Sequence, residues 1–258
     1  MSHGLQISAS GMMSAMYRQD VFTNNLANMD TVGFKPDVPS FRYREAVTQE
    51  DGVGYLPSNE LLERLGGGTM LNPNRVSFAQ GNTRASGNAL DLAIEGEGFF
   101  AVKKTDEKGN EQTMLTRDGR FVRDPMGRLA MGSTGLPVLD ANGNPIQLPL
   151  NGTVQIAGDG RVMSGGGEIA QLKFVNVADK SALRKEGNSL FKVSNDALGT
   201  ATGGTGNIRQ FAVEDSGVDE ITALMQMQGA SREVDANVAL IQQHDKLMER
   251  AIAGLGRV

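Results

Sequence analysis

The chain has 258 residues, enough for one large domain or two modest ones, and its lack of cysteine excludes disulfides and thiolate-held zinc. A net charge of -5 with both signs interspersed leaves no basic footprint for nucleic acid and no Lys or Arg run for an anionic membrane. Thirty-three glycines, no Trp and an aromatic content of 5% describe a turn-rich chain with few large core side chains, unlike a compact enzyme.

The N-terminal stretch MSHGLQISASGMMSAMYRQD has no cationic segment ahead of its apolar residues, so no Sec signal is read from it. Work outside the cytoplasm would then need another export route. No run of eighteen or more apolar residues appears, so no membrane-spanning helix is expected. From Gly4 to Met29, steps of three and four residues pick out Leu5, Ser8, Met12, Ala15, Gln19, Phe22, Leu26 and Met29, a mostly apolar helical seam. Gly33 can take a left-handed helix-stop conformation and Pro36 extends Lys35, so the helix is expected to end near Asp30.

Three asparagines crowd that helix end. Asn24 and Asn28 lie four residues apart beside Leu26, and buried amides at a helical seam set register between chains. The alternative is that Asn25 and Asn28 cap a fraying helix end. Residues 34–87 read as a connector, with a short helix expected at Glu60 to Leu65 and a hinge at Gly66 to Gly68.

The middle of the chain turns strand-like. Short alternating segments such as LDLAIEGEGFFAVKK, TVQIAGDGRVM and AQLKFVNV are punctuated by Asp118-Gly119, Asn142-Gly143, Asn151-Gly152 and Asp159-Gly160, which predicts a β domain over 88–194. A return connector is expected over 195–215. Ser216, followed three residues on by Asp219, reads as the start of a second helix. Its seam is Leu224, Met227, Ser231, Val234, Val238, Ile241, Asp245, Met248, Ile252 and Leu255. Ala230, Leu240, Leu247 and Ala251 widen that apolar stripe beyond what one partner helix covers. The helices would be about 39 and 57 Å long, rods rather than core helices.

Catalytic constellations are thin. His3 and His244 have no partner in sequence for nucleophilic or metal chemistry. The Asp140–Asn144 stretch resembles the start of a calcium loop, but its glycine comes too early and no Glu closes it, so a turn is expected. Gly96-Glu97-Gly98 precedes a strand instead of opening a helix, which argues for a bulge or a close backbone approach over a dinucleotide fingerprint. Asp91, Glu95 and Glu97 alternate along an expected strand and would share one exposed face, without the aromatic platforms of a glycosidase. No cofactor or metal is called for.

The Met-rich seams are adaptable packing surfaces. Small Ala, Ser and Met side chains in a lone helix pair return little burial for the entropy of ordering two long helices. Both termini are therefore expected to fold fully only when many copies pack side by side.

The stretch SASGMMSAMYRQDVFTNNLANMDTVGFK, residues Ser8 to Lys35, resembles the N-terminal signature of the axial proteins of the bacterial flagellum, the rod and hook proteins of the basal body. QGNTRASGNALDLAIEGEGFFAV is similar to the entry of that family's β domain, TRDGRFVRDPMGRL is a further match, and SGVDEITALMQMQGASREVDANVALIQQHDKLM follows its C-terminal spacing with Arg232, Asn237 and Asp245 in place. Gly217 stands where the family usually has Asn, and Val234 where it has an aromatic.

The resemblance implies an α+β protein: N- and C-terminal helices (1–33 and 216–258) forming a coiled-coil domain, a central all-β domain and irregular connectors. It implies a structural rod subunit, proximal or distal, that polymerises helically as part of the torque-transmitting shaft, with a hook-type subunit or a secreted β-rich binding module as the alternatives. Its partners would be copies of itself, neighbouring rod and hook subunits and the flagellar type III export apparatus. It would involve no enzyme chemistry, no nucleic acid and no membrane insertion. The assembly interface is expected at Leu5, Met12, Phe22, Asn24, Asn25, Leu26, Asn28, Met29, Leu224, Met227, Val234, Asn237, Val238, Ile241, Met248 and Ile252.

Overall fold

A computed structural model describes residues 2–45, 66–106, 109–150, 152–193 and 202–255. Two compact units emerge, one drawn from Met1–Ala27, Asp37–Arg75 and Asp219–Val258, the other from Asn28–Pro36 and Val76–Val218. The fold is α+β, with a helix at each end and strands between.

In the first unit, α1 spans Ser2–Ala27 and α2 spans Glu220–Leu255. The two lie antiparallel: Gly4 meets the His244 ring, one heptad later Gly11 meets the Asn237 amide, and Arg18 forms an ion pair with Glu233. A Cβ on Gly4 or Gly11 would come within 3.0 Å of those side chains, so glycine is what lets the helices approach there. α1 stops three residues short of the expected Asp30 because Asn28 to Asp30 form a turn, in which the Thr31 amide donates to the Asn28 carbonyl at 3.2 Å. At the other end the cap is Asp219, not Ser216. The Asp219 carboxylate accepts the Thr222 amide at 2.7 Å, whereas the Ser216 hydroxyl accepts only the Val218 amide before the helix begins.

The segment expected as a connector, 34–87, divides between the units. Strands β1 (Asp37–Tyr43) and β2 (Thr69–Val76) pair with each other and pack on α1. The face of α1 bearing Ser10, Ser14, Tyr17 and Asn25 serves them. Ser14 bonds Thr69 at 2.5 Å, and the Tyr17 and Phe41 rings meet edge-on with centroids 6.5 Å apart. The expected helix at Glu60 to Leu65 lies outside the described residues. Of the expected return connector, residues 195–201 also lie outside the described residues, and the remainder carries the strands Thr202–Gly203, Asn207–Gln210 and Ala212–Glu214.

Among its described residues the second unit is built of strands, with a 3-10 turn at Lys180–Ala182. Its six-stranded antiparallel sheet runs in the order Arg184–Lys185, Leu190–Lys192, Glu111–Thr116, Phe99–Thr105, Phe174–Asn176 and Thr202–Gly203. A three-stranded sheet (Gly167–Gln171, Arg161–Ser164, Val154–Ile156) and shorter strand pairs complete it. The Phe99–Thr105 strand has core on both faces: Phe100 and Val102 enter one apolar cluster, Phe99 and Ala101 the other. That explains an uninterrupted Phe-Phe-Ala-Val run where a half-exposed strand would alternate. The scarce aromatics are concentrated here, with Phe78, Phe99 and Phe191 mutually packed at centroid distances of 5.3 to 5.8 Å.

The glycines before this strand mark a close approach, as expected. Gly98 (φ +144°) lies against the Phe174 ring, where a Cβ would fall 2.2 Å from the nearest ring carbon. The Asp140 stretch is a turn, its carboxylate accepting the Asn142 and Asn144 amides. The expectation for Asp91, Glu95 and Glu97 needs correction. Asp91 is buried and accepts from Ser86 and Asn88, while Glu95 pairs with Arg209 and Glu97 with Lys180, because the chain turns at Gly96 and ends the alternation.

Candidate assembly site

The expected interface residues divide by how α1 and α2 use their faces. On α2, Met227, Val234, Asn237, Val238 and Ile241 are half-buried, alongside the buried Ala223 and Ala230. These small alanines are the most buried residues of that face. Leu224, Met248 and Ile252 are exposed, with Ile252 at 68%. On α1, Met12, Phe22 and Leu26 are half-buried and Leu5 is exposed, and Met29 is half-buried in the turn that follows the helix. Met13 and Met16 on α1 and Ile221, Met225, Leu240 and Leu247 on α2 are further exposed apolar residues, Met13 at 66% and Ile221 at 71%. Residue spacing alone could not tell these from the seam that packs within the chain. They extend the apolar surface that α1 and α2 leave uncovered.

The three asparagines have different surroundings. Asn25 is buried and clamps the start of β1 at both ends of its amide: Nδ2 donates to the Asp37 carbonyl at 2.8 Å, and the Asp37 amide donates to Oδ1 at 3.0 Å. A carboxylate could not donate, and an aliphatic could do neither. Asn28 accepts the Thr31 hydroxyl at 3.2 Å in the turn that ends α1. Asn24 is exposed on α1.

Beyond them lies a cluster that sequence reasoning missed. Gly33 takes φ +67° as expected of a helix stop, but its environment demands more, since a Cβ there would lie 2.4 Å from the Arg117 carbonyl carbon. Next along the chain, Lys35 is 1% exposed. Its ammonium donates to Glu214, 0% exposed, at 2.5 Å and to the Ala79 carbonyl at 2.7 Å. Glu214 also accepts the Gly81 amide at 2.9 Å and Arg117 Nη1 at 3.0 Å. Arg117 in turn donates to the Gly96 carbonyl and stacks its guanidinium 5.2 Å from the centre of the Phe99 ring. Burial pushes the Lys35 ammonium below its ordinary 10.5, against the pull of Glu214 and with a smaller push from Arg117.

Two main-chain bonds flank this triad. The Gly33 amide donates to the Glu214 carbonyl at 2.8 Å, and the Gly217 amide donates to the Phe34 carbonyl at 2.9 Å. A lysine inside the apolar run Val32 to Pro36 was the one signal available in sequence, since a lysine among apolar neighbours is fully buried only when paired.

Comparison with known proteins agrees with this architecture. The family described as "Flagella basal body rod protein" matches residues 5–35, and "Flagellar hook protein FlgE/F/G D1 domain" matches residues 93–164. The chain is 31% identical to the flagellar basal-body rod protein FlgF of Caulobacter vibrioides over 100% of both chains. It is 30% identical to FlgG of Bacillus subtilis over 98% of both, and 32% identical to FlgG of Buchnera aphidicola subsp. Acyrthosiphon pisum over 95% of this chain and 97% of that one.

Proposed function

The chain belongs to the flagellar basal-body rod and hook protein family, and from that premise we propose that it is a structural subunit of the rod that assembles through its terminal helices. The basal body is its place of work, and other rod subunits are its neighbours. The observation that carries the assembly reading is the apolar surface left open on α1 and α2, from Leu5, Met13 and Met16 to Ile221, Leu224, Met225 and Ile252. That much greasy helix surface finds shelter against sister copies, with α1 and α2 acting as a coiled-coil domain and the β unit setting lateral contacts.

A heterologous contact of this kind, repeated through a rotation that does not close, generates an open helical tube whose packing resists shear and so transmits torque. The work is mechanical, and no step calls for a catalytic group. Asn24 and Asn28 would fix the register of neighbouring chains. The subunit would leave the cytoplasm unfolded through the flagellar export gate and meet hook subunits at the rod's outer end.

Deleting Met1 to Asp30 tests the reading. Polymerisation of the purified protein, followed by sedimentation and electron microscopy, is expected to vanish while the β strands stay protected from hydrogen exchange. Filaments formed by the truncated chain would sink it.

A further inference from the structure

We infer that the buried Lys35–Glu214–Arg117 triad is a register key: it selects how the strand Ala212–Glu214 pairs with Thr83–Ala85, and it holds Phe211 in a strained kink to keep that pairing. The device lies wholly within the β unit and goes beyond the assembly reading, on which it does not depend.

The strand that carries Glu214 has little else to fix its place. It pairs over three residues, Ala212 with Ala85, Val213 with Arg84 and Glu214 with Thr83. Ala212, Val213 and Glu214 are all buried, so no alternation of inward and outward side chains penalises a shift by one. Ala212 and Val213 are both small and apolar, and a slip would merely exchange one for the other. The carboxylate is different. It meets Lys35 Nζ at 2.5 Å, the Gly81 amide at 2.9 Å and Arg117 Nη1 at 3.0 Å, and a shift would leave both buried cations facing Val213. Buried ionic groups add little net stability over apolar replacements, and fixing a register is their best attested use.

The kink before the strand shows that this register is held against local preference. Phe211 has φ +59°, a left-handed conformation that its side chain disfavours, and it is 50% exposed. Upstream, Asn207–Gln210 is fixed by four pairs with Leu92–Glu95, and the Gln210 side chain donates to the Ala89 and Val154 carbonyls. Phe211 therefore takes up the mismatch between the two pairings. Were it to relax to an extended conformation, the chain beyond it would advance by roughly one residue, setting Ala212 opposite Arg84 and Val213 opposite Thr83. Glu214 blocks that step, because its partners come from three other pieces of chain.

The lack of cysteine lets the register be read in the full chain. Ala212→Cys with Ala85→Cys places two sulfurs on residues paired in the native register, whereas Ala212→Cys with Arg84→Cys pairs them only after the slip. In oxidising glutathione the first pair is expected to close and the second to stay open. Replacing the triad by apolar residues, with Lys35→Met, Glu214→Leu and Arg117→Met, should make the bond to position 84 appear and the bond to position 85 fall several-fold. The Phe99–Thr105 and Glu111–Thr116 amides should stay protected from exchange. If that protection is lost, Lys35→Met alone decides, with a smaller shift in the same direction. A companion measurement reads the kink. With the triad intact, Phe211→Gly is expected to show a higher urea midpoint than Phe211→Ala, since glycine is at ease at positive φ; with Lys35→Met added, that advantage should shrink or invert. A bond confined to position 85 in a folded triad variant overturns the register key. So does a bond to position 84 with the triad intact, or a glycine advantage that Lys35→Met leaves unchanged.

Discussion

Glu214 is the residue whose loss the fold should tolerate least. Its carboxylate is enclosed by Lys35, Arg117 and the Gly81 amide, and removing it strands two buried cations. A buried ion pair adds little net stability over an apolar replacement, but breaking one side costs about 3–5 kcal/mol. Glu214→Ala is expected to fall in that range by urea unfolding. Lys35→Met should cost less, because Glu214 keeps Arg117 and Gly81 as partners.

The same pair sets a pH dependence. Burial places the native Lys35 value below 10.5, so the unfolded chain binds that proton more tightly than the native one. Stability should therefore rise with pH between the native value and 10.5, relative to Lys35→Met measured side by side. A slope of the opposite sign would mean that Glu214 outweighs burial. Nothing in the local sequence announces this triad beyond a lysine among apolar neighbours, because its partners lie far along the chain.

Among elements, the terminal helices were legible and the strands beside α1 were not. Three-four spacing with a glycine stop needs only local chemistry, so both helices appear where the pattern puts them, within a turn at each end. β1 and β2 pair across a long separation and have few alternating apolar residues, so the same residues read as a connector. Asn25 belongs to this level as well. Its amide was weighed as a cap of the helix end and as an interface residue, and its partner proved to be the main chain of β1.

The start of α2 carries a prediction of its own. Hydrogen bonds from the Thr222 hydroxyl and amide hold the Asp219 carboxyl below its ordinary 3.8. The cap's contribution is thus present above 3.8 and lost as pH falls through the lower native value. Helical circular dichroism of the full chain should drop over that acid range, and Asp219→Ala should abolish the drop while fraying the first turn. An identical acid profile in the variant would show that the cap is idle.

At the scale of the whole molecule, the two units differ in how their apolar residues are spent. The β unit buries its phenylalanines in two clusters around one strand, while α1 and α2 leave Met13, Met16, Ile221, Met225 and Ile252 in solvent. A helix pair so little covered, closed largely by alanine, serine and glycine, gains little from burial. Limited proteolysis of the dilute subunit is expected to cut first within α1 and α2 and to leave a β fragment. Helicity should rise with protein concentration as copies associate. Termini that resist digestion at high dilution would contradict the assembly reading at its base.

The amino-acid order by itself determined that a long helix lies towards each end and that strands and tight turns fill the middle. Those features depend on spacing, turn residues and composition, all local in range. Only the tertiary structure decided which helix face meets the other helix, that Asn25 holds a strand, and that Lys35 is locked to Glu214. Each of these is a contact between residues distant in sequence, selected by the burial of polar groups that must find a partner once water is excluded, and no local pattern names that partner in advance.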